Sequence, residues 1–499
     1  MSRTQPTPTP TPTPGPGPES APTAAPTATA TKSDLRATSL LLDDGPPIDP
    51  FSLAGPTGIV IATEELTLVG VGTAMSIPLP RGLDDNQGVA EVQRQLAAIG
   101  ADDRVARSGS GVLAFGALPF ARETPGALVV PELLYGRSAD GTEWATLVTD
   151  GPGPTSSAGL RALLLDRSSS PPQNKAVRTA TPSVTPLTSE RSFMDGVARS
   201  VRDIGNGDLD KVVLARQIEL AFDVAIDVRA LLSRWRTVEP TATIFSIPID
   251  GGQFVGASPE LLVARDGDTV RCQPLAGTSS RPGRASTGPN SAPGVTDDLR
   301  QSPKNVSEHR LVVEAIADAL GPLCAALDVP ASPEVIHFHN VSHLGTSISG
   351  TLSGGSSGPA TVLELVATLH PTPAVGGVPR ERALRMIGEL ESTARDHYAG
   401  PVGWMDAHGD GRWVIGIRAA TIAGRRVRLA AGVGIVAGSD PRSELRETNW
   451  KFTAVFDALA PGQGLFAADS PDPLRAVSMP SDRIDESPDR IDESPRRAG

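Results

Sequence analysis

Glu444, Glu447 and Lys451 lie three and four residues apart in ELRETNWK, just after AGVGIVAGSD at 431–440. On a helix they share one face, because positions three and four apart stack. A glycine loop ahead of them would expose backbone N–H donors. Together they suit a magnesium-bound small molecule that carries carboxylates. Taken alone, Glu447 and Lys451 read more plainly as a solvated i,i+4 ion pair in the favourable order. Lys211, beside Asp210 and ahead of VVLA, reads alone as a strand-edge charge. Glu260 in SPELLV reads alone as a surface glutamate at a strand start. Weight comes only from agreement among distant segments.

Composition narrows the classes. The chain has 499 residues and a net charge of −12, with 57 acidic against 45 basic side chains. That balance, with no basic stripe, argues against nucleic-acid binding. No 18-residue apolar run predicts a membrane span, and the first residues lack the apolar core of a secretory signal. The two cysteines, Cys272 and Cys324, are far apart with no CxxC pairing, and the seven histidines show no HExxH spacing. A disulfide scaffold and a zinc site are therefore not expected, and the cytoplasm is the expected compartment. A monomer is the default expectation.

The elements that must position those side chains follow from pattern. Residues 1–33 begin with a Pro/Thr repeat that has little to bury and are expected to be a disordered tail. DRIDESP occurs at 482–488 and again at 489–495, so 463–499 is expected to be a disordered polar tail. Between them, 34–165 carries short apolar runs such as GIVIA, LTLVGVG and VLAFGALPF, which predict strands broken by Gly and Pro. Residues 166–190 read as a linker or long loop, and 280–300 as a mobile loop. A helix is expected over 191–204 ending at Gly205, and another over 307–326 with Leu311, Val312, Ala315, Ile316 and Leu320 on one face. DKVVLAR, ATIFSIP, FVGAS and ELLVARDGDTVRCQPLAG predict strands, and 413–422 with 427–435 a hairpin. The fold class is α+β: one large domain of extensive, mostly antiparallel sheets surrounded by helices.

Ten segments, in order, resemble the chorismate-utilising enzymes, and among them the isochorismate synthases. They are DKVVLAR (210–216), SPELLV (258–263), PLAGTSSR (274–281), SPKNVSEH (302–309), HLGTSISG (343–350), LHPTPAVGG (369–377), YAGPVGW (398–404), IR (417–418), AGVGIVAGSDP (431–441) and ELRETNWK (444–451). They place the catalytic region at 191–462. The resemblance implies Lys211 as general base and Glu260 as general acid. Such a lysine must lose its proton, and such a carboxyl must keep one. Ammonia-using relatives have glutamine at the Lys211 position, so lysine implies water as nucleophile. Relatives with PIKGT have a nucleophilic lysine where this chain has Ala276.

The resemblance also implies Mg²⁺ as cofactor, held by Glu308, Glu444 and Glu447. Asn305 stands where many relatives have an acid. Arg418 is expected to grip a substrate carboxylate with the Gly432 N–H and Lys451. Gly277 and Thr278 would make contacts near the other end of the substrate. Ala374 and Val375 would shape the wall near its ring, and His343, Tyr398 and Ile417 complete the pocket. His370 reads as structural. The implied activity is reversible conversion of chorismate to isochorismate, feeding siderophore or menaquinone synthesis. Two alternatives stay open: a salicylate synthase, which adds pyruvate elimination, and an inactive chorismate-binding homologue. Ala374 and Ile417 favour the synthase, and Tyr398 favours the salicylate enzyme.

Because neither tail can offset the entropy of ordering, a chain trimmed to residues 34–469 is expected to keep its melting temperature and activity. A large loss of either, read by thermal melts and turnover, would show that a tail docks.

Overall fold

Most strands are apolar at successive positions, not at alternate ones, because both of their faces are covered. In the strand Ile59–Ala62, Ile59 and Ile61 face one buried layer while Val60 and Ala62 face another. The computed structural model describes residues 35–154, 156–168, 181–280, 299–339, 341–354, 358–463 and 465. Among these, a 13-stranded sheet and a nine-stranded sheet form the body, with a small three-stranded sheet beside them. Phe115, Trp404 and Val414 of the second sheet meet Ile61, Phe245 and Phe254 of the first in the layer between them. Helices cover both outer faces. Trp235, Phe452 and Phe456 pack on one face of the first sheet, and Leu365, on the helix Val362–Leu369, packs outside the second. Pairing is antiparallel except between Arg36–Leu41 and Gly100–Asp103. The α+β class with mostly antiparallel sheets is what the structure has.

Two chain crossings between the large sheets matter most. Gly252–Ser258 belongs to the first sheet and Leu261–Asp266 to the second, so Pro259 and Glu260 form the passage. Gly411–Ile415 belongs to the second and Ala419–Ala423 to the first, so Gly416, Ile417 and Arg418 form the return passage. This corrects the expected hairpin. Residues 413–422 are not one strand, and only Ala419–Ala423 pairs with Arg426–Ile435. The passages are bound together: the Ile415 N–H donates to the Glu260 carbonyl, the Ser258 hydroxyl to the Ile415 carbonyl, and the Ala257 N–H to the Arg418 carbonyl.

Other boundaries also differ. The first half of the expected glycine loop at 431–440 is strand: Arg426–Ile435 pairs along its length with Lys211–Ala221. The helix expected at 307–326 runs Pro303–Leu320, since Ser302 caps it by accepting from the Asn305 N–H and Pro303 fits its first turn. Cys324–Asp328 is a strand. The linker expected at 166–190 overlaps the helix Ser157–Ser168 and contains the strand Ser183–Pro186, with 169–180 outside the described residues. The mobile loop expected at 280–300 and both expected tails likewise fall mostly outside them. Leu465, within the expected C-terminal tail, is buried in the core of the first sheet. Among the described residues, no helix is long and apolar enough to cross a membrane, and both cysteines are free.

One buried cation ties the first sheet to the Pro441–Leu459 helix. Arg216 is fully buried in the strand Lys211–Ala221. Its Nε donates to the Thr448 hydroxyl at 2.7 Å, its Nη2 donates to the Asn449 side-chain oxygen, and its guanidinium lies 4.9 Å from the Phe452 ring centre. Thr448 and Asn449 lie between Glu447 and Lys451 and Phe452 follows directly, so these contacts fix the rotation of that helix about its axis.

Candidate active site

The helices Pro303–Leu320 and Pro441–Leu459 start alike, with a capping side chain and then proline. Asp440 caps the second by accepting from the Ser443 N–H. Their early turns carry Lys304 and Glu308, and Glu444, Glu447 and Lys451. Carboxylates near helix N-termini gain from the helix dipole. The two helix starts, the head of the Lys211–Ala221 strand and both inter-sheet passages surround one cavity. Glu260, Gly277, Thr278, Glu308, His343, Ala374, Val375, Tyr398, Ile417, Arg418, Gly432, Glu447 and Lys451 all line it. Of the residues expected at the site, Lys211 and Glu444 do not reach its wall.

Lys211 lies just behind the wall. Its side chain is 0% exposed, and Nζ is 3.1 Å from Glu308 Oε1. The pair is at ion-pair distance but misaligned for a hydrogen bond, so the buried ammonium has no satisfied donor. Gly434 makes the contact possible. A Cβ there would lie 2.0 Å from Glu308 Oε1 and 3.0 Å from Lys211 Cε.

Each of the three site glutamates meets a lysine. Glu447 Oε1 is 2.7 Å from Lys451 Nζ, which also donates to the Gly432 carbonyl at 2.8 Å. This pair is largely buried, so the solvated reading of its spacing does not apply. Lys304 Nζ lies 2.5 Å from Glu444 Oε1. Burial opposes the Lys304 charge, but Glu444, Glu447 and Glu308 outweigh it and raise its pKa. For Glu447, burial would raise the pKa, but Lys451, Lys304 and a hydrogen bond from Thr278 bring it below its ordinary value. Glu444 goes the other way, raised by burial and by the Glu447 charge.

Glu260 is protonated more readily than an ordinary glutamate. Full burial pushes its pKa up to about 7, against the opposing pull of Lys211, Arg418 and Lys451. Arg418 sits in the left-handed region, at φ 51. That conformation costs a non-glycine residue about 1–2 kcal/mol, and it occurs where the chain turns back between sheets. Arg418 Nη2 lies 3.1 Å from His343 Nε2. Arginine can only donate, so that nitrogen is the acceptor and His343 is neutral with its proton on Nδ1. Nδ1 lies 3.1 Å from Thr278 Oγ1. Burial and then the Arg418 charge push the His343 pKa well below its usual range.

Several cavity residues carried no separate signal in the sequence. Gly434 sat in a glycine-rich run with no mark of its own. Arg395 stands among polar residues, yet it is buried and donates to the Val375 and Val213 carbonyls, joining two walls. Lys304 lies within SPKNVSEH with nothing in the sequence to mark it. Asn305 lies against Gly277, where φ is 74 and an added Cβ would lie 2.9 Å from Asn305 Cβ, so no side chain fits. His370 has its Nε2 at 2.9 Å from the Phe120 carbonyl, outside the cavity. A larger groove of about 1480 Å³ lies behind Arg395, but Arg122, Arg380, Arg395, Arg426 and Arg428 along it are all already bonded to protein groups.

The comparisons agree with this geometry. The family model described as chorismate binding enzyme matches residues 60–460. The chain belongs to the chorismate-binding enzyme family. A Mycobacterium tuberculosis protein provisionally named isochorismate synthase MenF is 38% identical over 422 residues, covering 83% of this chain and 96% of that one. The Escherichia coli isochorismate synthase EntC is 34% identical over 372 residues, 73% of this chain and 85% of EntC. Among solved structures, the menaquinone-specific isochorismate synthase MenF of Escherichia coli superposes with a TM-score of 0.69 at 26% identity, covering 85% of this chain and 94% of that one.

A hard divalent cation is compatible with this family member's donor set. Among the described residues, no three acids are already gathered as a ligand cluster. However, the Lys304 ammonium is bonded to Glu444 and its charge is favoured by Glu447 and Glu308 as well, so all three acids already act on one positive charge.

The raised Glu260 pKa has a measurable sign. Between about pH 4.5 and 7 the folded protein holds a proton that the unfolded chain has shed, so stability falls as pH rises through that window. Relative to Glu260→Gln, the wild type is expected to lose about 3 kcal/mol between pH 4 and 8. Denaturant melts across that range test it, and a pH-independent difference would show that Glu260 holds no extra proton.

Proposed function

We propose that this protein is an isochorismate synthase that adds water at C2 of chorismate and expels the C4 hydroxyl. The observation that carries this reading is the pairing, at one cavity, of a fully buried carboxyl that keeps its proton near neutral pH with a buried lysine that has no satisfied donor. One can give a proton, and the other can take one once it has shed its own. Relatives whose names specify isochorismate synthase support the same reading.

In this reading Lys211, as the free amine, takes a proton from water as its oxygen bonds to C2. The ring double bonds shift, and the C4 hydroxyl leaves as water with the proton from Glu260. Atoms and charge balance, and reversal needs only the opposite protonation of the two groups. Arg418 presents its planar fork to a substrate carboxylate, and the neutral His343 holds that fork from the side without competing as a cation. Ala374 and Val375 bound the ring. Ala276 lines the cavity where a lysine nucleophile would otherwise stand. Glu308, Glu444 and Glu447 would hold Mg²⁺, whose contribution is to neutralise a substrate carboxylate and stabilise negative charge. The product would supply a siderophore or menaquinone pathway.

Incubation with chorismate and Mg²⁺ should give isochorismate by chromatography. Salicylate with pyruvate would identify the salicylate synthase, and unchanged chorismate the inactive homologue. Lys211→Gln should lower turnover about 10²- to 10⁴-fold, the usual worth of a positioned base, while chorismate affinity by calorimetry changes far less. More than a tenth of wild-type turnover would remove Lys211 from that role.

Metal dependence is tested separately. EDTA should abolish turnover, and Gln at Glu308, Glu444 or Glu447 should each raise the Mg²⁺ concentration needed. Activity that survives EDTA would contradict the metal reading.

A further inference from the structure

Three ammonium groups and three carboxylates pair in and just behind the cavity wall. Lys211 pairs with Glu308, Lys451 with Glu447 and Lys304 with Glu444. With Glu260 protonated, the charges of these three pairs sum to zero and Arg418 adds a positive one to the cavity, so a dication meets no net attraction there. Yet the three acids are the hard donors that the proposed function assigns to Mg²⁺. For them to turn to a metal, one lysine has to yield.

The three lysines are not equally free to do so. Lys211 is 0% exposed and sealed behind Glu308 and Gly434. Lys451 is 11% exposed and also donates to the Gly432 carbonyl. Lys304 is 31% exposed and sits in the first turn of the Pro303–Leu320 helix. Its ammonium is bonded to Glu444 and lies within electrostatic reach of Glu447 and Glu308. A lysine stem can swing its head to water by side-chain rotation alone, without moving the helix.

We propose that Lys304, ion-paired with Glu444, is a built-in cation that must swing out before a divalent cation can be held by these acids. This rests on the reading that Glu308, Glu444 and Glu447 hold Mg²⁺. In the resting protein the Lys304 ammonium offsets the mutual repulsion of the carboxylates and competes with the metal for the same oxygens. Its departure leaves one net negative charge among the three pairs, which draws the dication in. The metal then leaves one net positive charge among them, which a substrate carboxylate can neutralise. Lys304 therefore makes metal binding weak in the absence of substrate.

The test is Mg²⁺ binding to the substrate-free protein, read by calorimetry and by the Mg²⁺-dependent rise in melting temperature. Lys304→Met should bind Mg²⁺ about tenfold tighter than wild type, within the usual range for coupling between two competing ligands. Its melting temperature in EDTA should fall, and Mg²⁺ should restore it by a larger increment than in wild type. Lys304→Arg keeps the charge and should bind Mg²⁺ no more tightly than wild type. Lys304→Gln gives the same comparison if the methionine variant does not fold. Equal or weaker Mg²⁺ affinity in folded Lys304→Met, with wild type binding measurably, overturns the proposal and leaves the metal reading standing. If neither protein binds Mg²⁺, with or without chorismate, the metal reading fails and takes this proposal with it.

Discussion

Burying carboxylates is the constraint on which the rest of this structure depends. Glu308 and Glu444 are buried and Glu447 is largely so, and an uncompensated charge in such a place costs several kcal/mol. The chain meets that cost with three lysines drawn from three different segments and with two helix N-termini aimed at the same region. None of these segments could form the site alone. Lys211 needs the glycine strand to leave space above it, and Glu447 needs Lys451 one turn along its helix. Glu444 needs a lysine from the other helix. The electrostatics therefore hold distant parts of the sequence in one arrangement.

The two sheets supply the frame. A substrate pocket between stacked sheets would normally be filled by side chains from both inner faces, as Phe245, Phe254 and Trp404 fill the layer farther along. Here the chain twice leaves one sheet for the other, and each passage places a functional side chain at the opening. The first passage delivers Glu260 and the second Arg418. Because the two are hydrogen-bonded to each other through the Glu260 and Arg418 carbonyls, Glu260 and Arg418 cannot drift independently. Arg216 does the same for the Pro441–Leu459 helix from within the first sheet.

Legibility in the sequence followed the physics of each signal. The strands read correctly where apolar runs were long, as in GIVIA, because burial on both faces leaves a run with no polar interruption. The i,i+4 spacing of Glu447 and Lys451 marked one helix face, though it could not tell a buried pair from a solvated one. The expected hairpin at 413–435 holds only from Ala419 onward, because a change of sheet is invisible to local pattern. Nothing in WVIGIRAATI marks that Ile415 pairs with Pro401 in one sheet and Ala419 with Gly256 in the other. The supposed glycine loop failed because glycine signals absent side chains, and here the space is taken by Glu308 and Lys211, not by an exposed turn. Lys304 and Arg395 went unassigned because their roles depend on tertiary neighbours, and an isolated basic residue carries no spacing code. Most of the expected site residues, by contrast, do converge, because the ordered motifs that pointed to them span the whole catalytic region.

The same pocket gives its carboxyls opposite fates, and that division bears directly on chemistry. Glu260 is surrounded by the strand ends and passages of the two sheets, with no ion-pair partner in contact, so burial dominates and the proton stays. Glu447 is equally enclosed but has Lys451 at 2.7 Å and a hydrogen bond from Thr278, so charge pairing dominates and the proton leaves. Two titratable groups driven apart by environment are what acid–base chemistry at neutral pH requires. His343 extends the logic one step. Held between Arg418 and Thr278 in its neutral form, it links the substrate-gripping arginine to the hydroxyl that helps keep Glu447 ionised. A second positive charge at that position would repel Arg418 and disturb both ends of the chain at once. The fold therefore keeps this histidine buried and neutral, and Lys211 and Glu260 are the groups to which the proposed mechanism assigns proton transfer.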